Sequence, residues 1–306
     1  MKKRGRVILW CLFFSIALLV LHPFRVSGSS VVVRTEDALI AAMSDRSIHY
    51  IVIDGDIALS VAVNVFRPVT LHGQGTISVL GNHRHFVINS GQFTLDGDIL
   101  LTRAAYNTGY GGGIEVAGGH FILRAGVICN NHMPEGGGVL LNRGNMTMHG
   151  GSIQNNHAKN GGGIFIHDTE RQFPNRYFVM RSGSIENNTA LFAGGGIFAA
   201  TSTVQLFRGA IIYNEASGHG GLYACTSTIL TIGHRMRIAG NTPVNSLDAP
   251  AISLLNFLRT ASWFHVVFML VIIAVCIGMQ NRKSNRRANN ASKPPSKIEV
   301  AREVNV

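Results

Sequence analysis

Cysteine is nearly absent, with four in 306 residues. Cys11 and Cys276 lie in apolar segments near the two ends, which leaves Cys129 and Cys225 in the body of the chain. Those two sit nearly four copies apart in the repeat described below. At roughly 4.8 Å per layer of stacked strands they are too distant to bridge, so a disulfide scaffold is excluded. Helix-length periodicity is also missing through the body, where the apolar pieces are too short to be helices. No phosphate loop, nucleophile elbow or metal-binding helix motif occurs. Acidic residues are scarce, 16 against 27 Lys and Arg, for a formal net charge of +11. That excess belongs to the ends. Lys2, Lys3, Arg4, Arg6 and Arg25, together with the tail from Arg282 onward, account for ten of the eleven charges. The body is near neutral, which argues against nucleic acid as a partner.

What the body does have is glycine, in clusters followed by an aliphatic residue. They read Gly111-Gly112-Gly113-Ile114, Gly136-Gly137-Gly138-Val139, Gly161-Gly162-Gly163-Ile164, Gly194-Gly195-Gly196-Ile197 and Gly220-Gly221-Leu222. The steps between them are 25, 25, 33 and 25 residues. A second signature runs in phase: Gly126-Val127-Ile128-Cys129-Asn130-Asn131, Gly151-Ser152-Ile153-Gln154-Asn155-Asn156 and Gly183-Ser184-Ile185-Glu186-Asn187-Asn188. Looser copies end at Asn214 and Asn241. Self-similarity at such a period marks a repeat architecture.

One copy divides into three strand-like pieces: Ile114-Glu115-Val116, Phe121-Ile122-Leu123 and Val127-Ile128-Cys129, separated by Gly, Arg and Asn. Later copies put Met146 and Met148, Phe178 and Met180, and Val204 and Leu206 in the middle piece. The expected fold is all-β: a single-stranded right-handed parallel β-helix, with three strands per coil of about 25 residues. Glycine and asparagine tolerate left-handed corners. Ile128, Ile153, Ile185, Ile211 and Ile238 are expected to stack inside, with Asn131, Asn156, Asn188, Asn214 and Asn241 as a corner ladder. Upstream, short strand-like pieces run from Ile51 to Leu101, and Thr35 to Ser44 reads as a short amphipathic helix suited to capping the first coil. The 33-residue step carries an insertion within His167 to Tyr177, expected to be a surface loop.

The ends carry targeting features. Basic residues 2–6, an apolar run from Val7 to Leu21 and Val26-Ser27-Gly28 read as a signal segment cleaved after Gly28. Trp263 to Met279 is apolar apart from His265 and is followed by Arg282, Lys283, Arg286 and Arg287, a positive-inside pattern. The expected organisation is therefore a signal segment at 1–28, a capping segment at 29–47, the β-helix at 48–245 and a juxtamembrane linker at 246–262. A transmembrane helix at 263–280 and a basic cytoplasmic tail at 281–306 complete it. This places the protein in a membrane by a single pass, with its β-domain at the cell surface.

Candidate chemistry is thin. Asp54-Gly55-Asp56 and Asp96-Gly97-Asp98 offer carboxylates that suit Ca²⁺ or glycosidic acid–base work, but Asp and Gly between strands make turns as readily. His83-Arg84-His85 is the one tight histidine group and lacks a third ligand at metal spacing. Arg84, Arg103 and Arg124 read as solvent-facing. No catalytic, cofactor-binding or metal-binding residue is assigned, and no cofactor is expected.

The glycine-cluster motif alternating with Gly-x-Ile-x-Asn-Asn, over roughly 110–245, resembles the exported β-helix repeat proteins of bacteria. These include the polymorphic outer-membrane proteins of chlamydiae and adhesin-like repeats. The resemblance implies a pectin lyase-like tube and an adhesin-like or structural surface protein. Its partners would be host or matrix glycans or proteins, with the C-terminal helix in the membrane. The alternative within the wider pectate-lyase-like superfamily is a polysaccharide lyase or hydrolase.

Overall fold

The structure, a computed structural model, describes residues 29–105, 109–167, 177–225 and 228–244. All of these belong to the first of two compact units, Met1–Ala251. The described chain is nearly all β, with parallel strands and one helix.

Local sequence explains the strands. The copy from Gly111 to Asn131 forms Ile114–Val116, His120–Leu123 and Val127–Cys129. In the three-residue strand Ile114–Val116 the first and third side chains point into the core and the middle one points out, as an alternating pattern requires. Each strand pairs in parallel with its counterpart in the next copy. Ile114 lies opposite Val139, then Ile164, Ile197 and Leu222. Ile128 lies opposite Ile153, then Ile185, Ile211 and Ile238. Buried aromatics fill the centre, where Phe86, Phe93 and Phe121 stack with ring centroids 4.8 and 5.9 Å apart.

The two motifs fit one another physically. The corner asparagines bond to one another: Asn156 Nδ2 donates to Asn188 Oδ1 at 3.0 Å and to the Ile128 carbonyl at 2.9 Å, while Oδ1 of Asn131, the first of the ladder, is buried without a partner. The same pattern joins Asn131 to Asn156, Asn188 to Asn214 and Asn214 to Asn241. The glycine clusters make room for it. A Cβ on Gly163 would lie 2.6 Å from the Gly196 carbonyl and 3.1 Å from Asn188 Nδ2. Glycine is therefore required wherever the asparagine ladder passes.

The sheet topology corrects the expected right-handed β-helix of three separate strand faces. Ten parallel strands hydrogen-bond in a closed circuit, so by connectivity the main sheet is a ten-stranded parallel β-barrel. The closure lies in two long strands, Val69–Val79 and Thr203–Ile212, which were expected to break at a corner. Val69–Leu71 pairs with Phe93–Leu95, and Gln74–Val79 pairs with Asp98–Arg103. Thr203–Leu206 pairs with Tyr177–Met180, and Ala210–Ile212 pairs with Ser184–Glu186. Gly73, Gly75 and Gly209, at φ of 109°, 135° and 120°, let the chain turn without leaving the sheet. Four further strands attach to this circuit, and separate sheets of seven and three strands complete the described fold.

The helix spans Glu36–Ser44. Thr35 caps it, its Oγ1 accepting from Ala38 N at 3.2 Å. Leu39, Ala42 and Met43 are buried, and the Glu36 carboxylate accepts from Ser60 N, Ser60 Oγ and Val61 N, which ties the helix to the strand loop beside it.

The single-pass localisation is corrected as well. Among the described residues no helix is long and apolar enough to cross a membrane. The expected span at 263–280 lies outside the described residues, as do the signal segment 1–28, the linker 246–262, the tail 281–306 and positions 168–176 of the insertion.

Candidate functional site

The residues singled out from sequence fall in three places. The His83-Arg84-His85 group is a buried clamp, not a surface feature. Arg84 is 5% exposed, which corrects its expected solvent-facing role. Its Nη1 and Nη2 each donate at 2.6 Å, to the carbonyls of Gly136 and Glu135, some fifty residues further along the chain. Burial pushes its pKa down to about 10, opposed by the nearby Glu115 and Glu135 carboxylates, so it stays a cation. His85 Nε2 lies 2.9 Å from the carbonyls of both Ile77 and Thr102, and Nδ1 lies 3.3 Å from that of Gly113. Burial drives the His85 pKa down to about 4, so the ring is neutral near pH 7. Both side chains are consumed by main-chain carbonyls. Arg103 also donates to a carbonyl, that of Gly109, while Arg124 is exposed.

The two Asp-Gly-Asp steps split their members. Asp56 accepts from Thr76 N at 2.8 Å, tying its corner to the strand Val69–Val79, and Asp96 accepts from Gly97 N at 2.9 Å within its own turn. Asp54 and Asp98 instead share one row of the sheet, each opposite Gln74. With Arg34 and His72 they line an open groove of about 500 Å³. Arg34 is paired with Asp54. Among the described residues no three His, Cys, Asp or Glu side chains come together in a way that could hold a metal ion.

The third place was not singled out from sequence. On five of the strands of the seven-stranded sheet the middle residue is the one after the aliphatic of the glycine motif, giving Glu115, Leu140, Phe165, Phe198 and Tyr223 in register. The last three are aromatic and form a row. Phe165 and Phe198 stack at 4.9 Å and 14°, Phe198 and Tyr223 at 4.8 Å and 27°. His167 lies 5.9 Å from Phe165 and His219 lies 5.2 Å from Tyr223, so five rings follow one another along the sheet. Phe165 is buried at 5% exposure, while Phe198 and Tyr223 are half-buried, so the accessible part of the row is the last two rings, whose edges carry the positive end of the quadrupole. Tyr223 adds a hydroxyl and the histidines add ring nitrogens. The signal for this row was present as the residue after Gly-Gly-Gly-Ile, which changes from acidic to aliphatic to aromatic along the repeat.

The two body cysteines are unbridged; Cys129 is buried and its thiol pKa is raised by that burial. Set against known families, curated proteins and solved structures, the chain matches none of them.

Proposed function

We propose that this protein is a non-catalytic binding scaffold, adhesin-like in kind, whose ligand is a glycan lying on the half-buried rings of Phe198 and Tyr223, with Phe165 buried behind them as their support. The stacked pair Phe198–Tyr223, half-buried on the sheet and flanked by the Tyr223 hydroxyl and the His219 imidazole, carries this reading. Ring edges and N–H or O–H donors complement the oxygen-rich surface of a saccharide, and a row at the strand spacing suits an extended chain over a compact one. The buried polar chemistry of the chain supports the reading too, since the asparagine amides, Arg84 and His85 are committed to main-chain and ladder bonds.

The test is a glycan panel probed with the full-length chain and with Phe198→Ala and Tyr223→Ala. Retention of a glycan by the parent and loss by about tenfold or more in both variants is expected, as for residues at the centre of a contact. Equal binding by all three, or none by any, removes the reading. The alternative of a polysaccharide lyase or hydrolase would use the groove holding Arg34, Asp54, His72 and Asp98. Its check is product formation by the parent that disappears in Asp54→Asn and Asp98→Asn; absence of turnover on a uronate and neutral polysaccharide panel disposes of it.

A further inference from the structure

A second concavity lies far from the ring row in sequence, at the helix. It is the larger of the two described here, a crevice of about 810 Å³ between the helix Glu36–Ser44 and the segment 61–68. That volume is in the range of small-molecule sites. Its wall is apolar on one side, with Ile40, Met43, Val61 and Phe66. Phe66 is 67% exposed and Val61 is 51% exposed, an unusual investment of apolar surface at a cleft mouth.

The ionisable residues lining the crevice are Arg46, His49 and Arg67, and no carboxylate lines it. Among the described residues the one ion pair is Arg34–Asp54, so neither arginine of the crevice is neutralised by direct pairing. Asp45, outside the lining, acts on Arg67 only through space: its Oδ1 accepts from Ser47 N and Ser47 Oγ, both at 2.8 Å, and it forms no ion pair with the guanidinium. Arg67 is held in place by donating to the carbonyls of Ala42 and Ile48, while its Nε–H is buried without a partner. Arg67 is thus a fixed cation beside an open apolar wall, and with the exposed Arg46 it gives this end of the crevice a positive charge that no carboxylate in its lining offsets.

We infer that this crevice binds a monomeric amphipathic anion, a long-chain carboxylate, with its head group at Arg46 and Arg67 and its chain against Ile40, Met43 and Phe66. A bare phosphate or sulfate would leave the apolar wall in water, and a neutral chain would make no use of the positive charge of Arg46 and Arg67.

The probe is sodium dodecanoate below its micelle concentration, titrated calorimetrically into the full chain. Saturable binding is expected, weaker by about tenfold in Arg46→Gln and in Phe66→Ser, two exposed positions whose replacement leaves the core intact. Dodecyltrimethylammonium, with the same chain and opposite charge, should not bind. The inference is overturned by failure of dodecanoate to saturate, by equal binding of the cationic amphiphile, or by indifference to both substitutions. Attachment to phosphatidylglycerol vesicles without affinity for the monomeric anion would also overturn it, assigning the face to a bilayer.

Discussion

The residue before each ladder asparagine sits in the left-handed region: Asn130, Asn155 and Asn187 at φ of 55°, 53° and 54°, Tyr213 at 56° and Gly240 at 67°. Tyrosine is the misfit, because a bulky side chain in this region carries a steric cost that asparagine and glycine largely avoid. Tyr213→Asn should therefore stabilise by about 0.5–1 kcal/mol, read as a raised denaturation midpoint at unchanged slope. His85 makes a second case. Its folded pKa of about 4 lies below the unfolded value of 6.5, so the unfolded chain takes up the proton first as acid is added. The stability conferred by the neutral ring is intact above pH 6.5 and drains away as pH falls toward 4, by up to about 3 kcal/mol. His120 and His132, both shifted down mainly by burial, act in the same direction. Urea midpoints measured between pH 7 and 4.5 should fall more steeply in the parent than in His85→Gln. Arg84 and His85 show what sequence could not reveal at this scale: a charged triplet between strands reads as surface unless the carbonyls that will surround it are known.

At the scale of the element, the ladder is the feature with the clearest energetic content. Asn156 accepts from Asn131 N and Nδ2 and donates to Asn188 Oδ1 and the Ile128 carbonyl. Asn156→Ala would strand several buried polar groups at once, for an expected loss of about 3–5 kcal/mol in equilibrium unfolding. Asn241→Ala, at the end of the run, should cost clearly less. This element was legible in advance, because identical asparagines at one period can only meet one another. The long strands Val69–Val79 and Thr203–Ile212 were not legible. Gly73, Gly75 and Gly209 resemble the corner glycines of other copies, and whether such a residue ends a strand or bends it depends on the neighbour it pairs with. The ring row was half legible, since its positions follow from the motif, while the burial of Phe165 and the partial exposure of Phe198 and Tyr223 follow from the packing around the sheet.

For the whole molecule, the packing between layers depends little on how much chain separates them. Ladder partners lie 25, 32, 26 and 27 residues apart, yet the amide contacts are 3.0, 3.0, 3.0 and 2.9 Å. Strand pairs of this separation form slowly, because loop closure precedes any gain from contact. Excision of residues 139–163 would join Gly138 to Ile164 and set Asn131 on Asn188 and Ile128 on Ile185. The shortened chain should keep its far-ultraviolet spectrum and its cooperative unfolding; a molten product would show that the layers are not equivalent. The same cut removes Asn145–Met148 and Ser152–Gln154, two of the ten strands of the closed circuit, so a cooperative product would mean that the ring can close on eight.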